Sequence, residues 1–103
     1  MRLPSKFAYL CQTNMIMNPT LLSSPLQGFT DFRFRNAFNH YFGGIDTFYS
    51  PYIRLNGKLK IKQSYENDIL LENNTTIEVI PQIITNDTEE FLFVAKYVRS
   101  LGY

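Results

Sequence analysis

Tryptophan is absent from this chain of 103 residues, and cysteine and histidine occur once each. A lone cysteine, Cys11, excludes an intrachain disulfide and any metal centre built on several thiolates, and it fits a reducing compartment. Cys11 also precedes every candidate loop between strand and helix, so it reads as a small hydrophobe and not as a nucleophile. His40 has no acidic partner in its neighbourhood and reads as a surface or capping residue; no paired carboxylate, triad or metal cluster is evident. Charge of one sign is lacking too. A net charge of +1 excludes steering toward nucleic acid or membrane by the whole molecule and leaves only a local patch for that purpose. Long apolar runs are missing: Gln12, Thr13 and Asn14 interrupt the patch that follows Lys6 before it reaches the length of a signal-peptide core, and nothing approaches a membrane span. These absences predict a cytoplasmic protein without membrane or metal.

Aromatic side chains are abundant, with nine Phe and seven Tyr, enough to dominate one small core. Residues 1–18 show no clear period and are expected to form a loosely ordered leader, leaving 19–103 as the folded unit. Thr20–Ser24 reads as a short buried strand ending at Pro25, and Pro25 to Gly28 supply turn chemistry. Thr30 is then the expected N-cap of a helix, with Asp31 in its first turn. Phe34, Ala37, Phe38 and Tyr41 form the stripe expected to be buried, Arg33, Arg35, Asn36 and Asn39 fall mainly on other faces, and Gly43-Gly44 stops the helix. Ile45–Tyr49 is the second strand, closed by Pro51.

Between Tyr52 and Lys62 the sequence has the alternation and Asn56-Gly57 turn of a hairpin, whereas Ile61, Tyr65 and Ile69 share one side of a helix. The helix is preferred for the second half, with a loop or small hairpin at Asn56-Gly57. Ile77–Ile84 is the third strand, in which Pro81 argues against an undisturbed central position. Asp87 or Thr88 opens the last helix, with Phe91, Val94, Ala95, Val98 and Leu101 as its buried stripe and Gly102 as its stop.

This order of strand and helix predicts parallel strands joined by right-handed crossovers, in a doubly wound sheet or part of a barrel. Both architectures place ligand chemistry where strands run into the following loops, here Pro25–Asp31, Ser50–Arg54 and Gln82–Asp87. The first of these turns has one glycine, too few for a dinucleotide fingerprint. Pro25 stiffens it and Gly28 permits close approach of a flat ring, although a turn that only connects satisfies the same pattern. Gln82 is polar among Ile80, Pro81, Ile83 and Ile84. Its amide needs partners at both ends, either a ligand with adjacent carbonyl and N–H groups or the backbone of a loop. Arg33 and Arg35 could grip phosphate, or be solvated or paired with a carboxylate.

Three blocks in order carry a resemblance to a known family. Ser-Pro-Leu-Gln-Gly-Phe-Thr-Asp with Phe34-Arg35 resembles the A-P-M-x-G-x-T-D-x-x-F-R opening of the tRNA-dihydrouridine synthases. Tyr41-Phe42-Gly43-Gly44-Ile45-Asp46 is similar to their Y-G-G-x-D, and Pro81-Gln82-Ile83 with Asn86-Asp87 and Glu89-Glu90-Phe91 to their Q-[LI]-x-G-x-[DN]-P-E-x-[FL]. The resemblance runs from about Leu21 to the end of the chain. It implies an α/β fold, the N-terminal βαβ(α)βα portion of a TIM (β/α)8 barrel, here truncated. It further implies FMN on the C-terminal face, lined by Pro25, Leu26 and Gln27 and hydrogen-bonded by Gln82, with NADPH as reductant. The substrate implied is a tRNA uridine, reduced to 5,6-dihydrouridine after the base is flipped out.

The sequence departs from the family at Leu26 (usually Met), at Ser50-Pro51-Tyr52 (often Thr-Glu) and at Thr85 (commonly Gly). The family's proton-donor cysteine, in N-x-G-C-P, is expected beyond Tyr103, so that the piece is expected to be inactive by itself. Another FMN-dependent barrel, or a non-catalytic βα module, are the alternatives.

Overall fold

Residues 19–103, which the computed structural model describes, alternate between strand and helix as their pattern predicts. The elements are β1 (Leu22–Ser23), α1 (Phe32–Tyr41), β2 (Thr47–Ile53), α2 (Gln63–Ile69), a 3-10 turn at Leu71–Asn73, β3 (Val79–Ile83) and α3 (Thr88–Ser100). The leader assigned to 1–18, with Cys11, lies outside the described residues. The strands form one open sheet in the order β1-β2-β3, and both pairings are parallel. Chain order equals spatial order, with no reversal among the described strands.

The helices share one face of this sheet. Ile53 on β2, Ile61, Ile69 on α2 and Val94 on α3 are buried together, with Ile83, Phe93, Val98 and Leu101 packed around them. Ile53 pairs with Ile83 across the ladder, and Phe48 with Val79; Phe48 meets the ring of Phe38 on α1 edge to face at 6.5 Å. Tyr49 pairs with Ile80 and Tyr52 with Gln82. These pairs belong to the opposite face, which no described helix covers, because successive strand residues alternate sides.

Between Tyr49 and Tyr52 the register shifts, so that Ser50-Pro51 on β2 faces Pro81 on β3. This bulge explains both prolines. Neither can donate to a ladder, and both sit where the ladder is interrupted. The expectation that Pro51 closes the second strand is therefore corrected: β2 runs through it to Ile53. The third strand is shorter than expected, Val79–Ile83.

The first helix departs most from its sequence pattern. Asp31, not Thr30, is its N-cap, accepting from the Phe34 N–H at 3.0 Å. Thr30 instead closes the preceding turn: its Oγ1 accepts from the Leu26 N–H at 2.8 Å. The apolar stripe is not the buried one, for Phe34 is 46% and Tyr41 77% exposed, whereas Arg35 is 0% exposed. A 3.6-residue period reports that a helix has faces, but not which face the rest of the chain will cover. Thr20–Ser24 is also less buried than expected, with Leu22 53% exposed on β1. In α3 the expected Phe91 is exposed while Val94 is buried; Asp87 caps this helix, accepting from the Glu90 N–H at 2.9 Å. Among the described residues no helix is long and apolar enough to cross a membrane.

Candidate cofactor site at the strand ends

Of the four residues singled out by sequence, Gln27 and Gln82 meet at Tyr52 between the strand ends, while Pro25 and Leu26 lie in the turn after β1. Gln27 lies in the turn after β1. Its Oε1 accepts from the Tyr52 N–H at 2.9 Å and its Nε2 donates to the Tyr52 carbonyl at 3.4 Å. Both ends of the amide thus imitate a peptide unit and extend the short β1 pairing by one rung. On its other side Tyr52 pairs with Gln82. Gln27, Tyr52 and Gln82 therefore span the three strand ends in sequence, and the bulge before Tyr52 decides that this residue and not its neighbour stands between the two amides.

Gln82 is held through its backbone. Its N–H, deprived of a ladder partner by the bulge, donates to Ser50 Oγ at 3.1 Å, and that hydroxyl donates onward to the Pro51 carbonyl at 2.9 Å. Ser50 is buried, so no water replaces its hydroxyl. The Gln82 Oε1 atom is buried as well and has no hydrogen-bond partner among the described residues. No loop-backbone partner for that oxygen, one of the two expectations for this amide, is found among the described residues. An unpartnered buried amide oxygen costs about 1–3 kcal/mol. Ser50→Ala should consequently lower stability by about 1–3 kcal/mol by orphaning the Gln82 N–H, read as a drop in the urea midpoint with unchanged slope.

Pro25 is half-buried at the start of the turn, and Leu26 projects from it, 61% exposed. The Leu26 carbonyl accepts from the N–H groups of Phe29 and Thr30 at 3.0 and 3.1 Å, which makes the turn rigid. Gly28 has a φ of +83°, and a Cβ there would meet nothing within 4 Å. Glycine is therefore required for its left-handed backbone and not for packing. A cleft of about 280 Å³ opens beside the turn, lined among others by Gln27, Phe29, Asp31 and Tyr65.

Arg33 and Arg35 are both paired with carboxylates. Arg33 Nη1 meets exposed Asp31 at 3.3 Å. Arg35 Nη1 meets Asp68 Oδ1 at 3.0 Å in the interior and donates to the Thr30 carbonyl at 2.9 Å. Its Nη2 donates to the Asp68 carbonyl at 2.7 Å and to Asn74 Oδ1 at 3.1 Å. Through Thr30 the guanidinium fixes the end of the first turn, and through Asp68 and Asn74 it fixes α2 and the segment after it. Sequence inspection misses this cluster because the partners lie 33 and 39 residues away, beyond any local period. Burial pushes the Asp68 carboxyl above its ordinary value of 3.8, and Arg35 offsets only part of that shift.

Ser50-Pro51-Tyr52 supplies the bulge hydroxyl and the peptide that Gln27 grips. Thr85 donates from Oγ1 to Glu90 Oε2 at 2.8 Å and accepts from the Asp87 N–H at 3.1 Å, which tightens the entry to α3. His40 is exposed and packs edge-on against Tyr41 at 4.8 Å. Among the described residues no group of three or more His, Cys, Asp or Glu is placed to hold a metal ion. Comparison of the chain with known protein families, with curated proteins and with solved structures returns no match. The described residues form a three-stranded parallel α/β sheet with a buried amide oxygen at its C-terminal end that has no partner among them.

Proposed function

We propose that these residues form the first three βα units of a flavin-binding (β/α)8 barrel of the tRNA-dihydrouridine synthase type, with FMN lying across the strand ends. The observation that carries this is the buried Gln82 Oε1, an acceptor without a partner among the described residues. Strand order is compatible with this reading: β1-β2-β3 is consecutive and parallel, as in a barrel and equally in the first half of a doubly wound sheet.

The residues present fit a flat, hydrogen-bonding ring in part by contact and in part by scaffolding. Gln82 offers an amide acceptor to a ring N–H. Pro25 and Leu26 offer an apolar edge on a rigid turn. Gln27 spends both amide ends on Tyr52 and so contributes shape, holding the turn against the end of β2. When bound, FMN would supply hydride transfer, with NADPH as the source of reducing equivalents and a tRNA uridine as acceptor. The chain's own residues hold and orient the ring; the proton donor for the uracil is assigned to no residue within 1–103.

Titration of the chain with FMN, followed by quenching of flavin fluorescence, tests the assignment. Gln82→Leu removes the acceptor and keeps the volume close, and should weaken FMN binding about 10–100-fold. The same change should leave thermal stability equal or slightly higher, since it removes a buried orphan. Equal FMN affinity in the variant, or loss of stability without loss of affinity, would overturn the role given to Gln82.

A further inference from the structure

The ladder between β2 and β3 is broken at the bulge and intact on either side of it. Before the break the Phe48 N–H donates to the Glu78 carbonyl at 2.9 Å, and after it the Ile84 N–H donates to the Ile53 carbonyl at 3.1 Å. Gln82 stands where the register resumes, opposite Tyr52. Its N–H is met by a side chain, Ser50 Oγ at 3.1 Å. Pro51 and Pro81 have no N–H to give to the ladder, and the Tyr52 N–H is already taken by Gln27 at 2.9 Å.

Two demands meet at Ser50. A hydroxyl has one donor and two acceptor positions, so a single oxygen accepts from the Gln82 N–H and donates to the Pro51 carbonyl at 2.9 Å. It thereby ties the bulged strand to its neighbour and to itself. The site is closed, for Ser50 is 0% exposed. Alanine would supply neither bond, and a cysteine sulfur makes only weak ones. A Gln82 peptide without this partner would be free to rotate toward another acceptor, and the side chain on the same Cα would swing with it. A group that must meet a ligand has to be held to within about 0.5 Å and 10–20° by the residues behind it. The partners are 32 residues apart, so no local pattern announces the contact.

We propose that Ser50 is a positioning residue of the strand-end site. Through the Gln82 N–H it fixes the bulge, and with it the direction in which the buried Gln82 Oε1 is presented to a bound ring. The inference rests on the flavin reading for the identity of that ring. It goes beyond that reading in giving a share of the affinity to a residue that touches no ligand.

The test is a double-mutant cycle on FMN affinity, followed by quenching of flavin fluorescence with the 103-residue chain. Ser50→Ala should weaken binding about 3–10-fold, the effect of about one net hydrogen bond. In a Gln82→Leu background, where no amide remains to be aimed, the same change should alter affinity by less than about 2-fold. A serine that only stabilised the fold would weaken binding equally in both backgrounds. Ile69→Val, destabilised away from the strand ends, should bind FMN as the parent does. If circular dichroism shows that Ser50→Ala does not fold, Ser50→Cys takes its place in the cycle with the same expected coupling. Hydrogen exchange gives a readout without ligand: in the parent the Gln82 N–H should be protected like those of Phe48 and Ile84 in the flanking ladder. Equal losses in the two backgrounds, a matching loss in Ile69→Val, or exchange of the Gln82 N–H at the rate of an open loop would overturn the proposal and leave the role of Gln82 itself standing. Failure of the parent to bind FMN would overturn the flavin reading, and the role of Ser50 with it.

Discussion

Arg35→Met is expected to cost about 3–5 kcal/mol, a large part of the roughly 5–15 kcal/mol that holds a domain together. The side chain is 0% exposed, and its removal strands an ionised Asp68 in the interior while leaving the Thr30 carbonyl and Asn74 Oδ1 without their donor. The loss is larger than for a surface pair because no water can take the place of the guanidinium. Its pH dependence follows from Asp68. A carboxyl whose pKa is raised in the folded state favours folding when protonated, and that contribution is lost as pH rises through the raised value. The deficit of Arg35→Met should therefore be smallest where Asp68 is protonated and grow as pH rises through its raised value. Urea unfolding of parent and variant across this range measures both effects. The double variant Arg35→Met/Asp68→Leu should recover part of the loss at neutral pH, since it removes both charges. A deficit under about 1 kcal/mol at neutral pH would show that the pair is solvated like a surface one.

Ile69→Ala should lower stability by about 2–5 kcal/mol, the range for deleting three methyl or methylene carbons from a closed site. Ile69 is 0% exposed, at the last position of α2, in the cluster with Ile53 and Val94. The site has little freedom to collapse into the cavity, because the backbone there is held from two directions. The Tyr103 hydroxyl donates to the Ile69 carbonyl at 2.6 Å, and Asn74 Nδ2 donates to the neighbouring carbonyls of Asp68 and Leu70 at 3.0 and 2.8 Å. Thermal unfolding followed by circular dichroism checks the value, and Ile69→Val, which removes one methylene, should cost about 0.5–1.5 kcal/mol. A loss for Ile69→Ala no greater than that for Ile69→Val would mean that the cluster repacks freely.

The sequence by itself determined the order of elements, because that order rests on local signals. Glycines at 43, 44 and 102 stop helices with positive φ, Asp87 caps α3, and aromatic residues in β2 and β-branched ones in β3 favour strands. The sequence also pointed to the turn after β1 and to Gln82 as the residues to question, since a polar side chain in an apolar strand asks for a partner wherever it lies. It misjudged which side of α1 is buried. Phe34, Ala37 and Tyr41 have the correct spacing for a core stripe, but the described chain covers the side bearing Arg35 and Asn36. Asn36 Nδ2 donates to the Asn73 carbonyl at 2.7 Å, a partner no local pattern announces.

Tertiary structure alone decided how the strand ends are arranged. The bulge at Ser50-Pro51 flips the alternation of β2, and that flip places Tyr52 between Gln27 and Gln82. One glutamine is thereby satisfied as a substitute peptide and the other left with an open oxygen, although in sequence they are equivalent amides. The physical reason is that periodicity and capping act within a few residues, while hydrogen-bond satisfaction in an interior depends on which distant groups the register brings within 3 Å or so. Local chemistry sets where the chain turns; long-range pairing sets which of its polar groups remain free to bind something else.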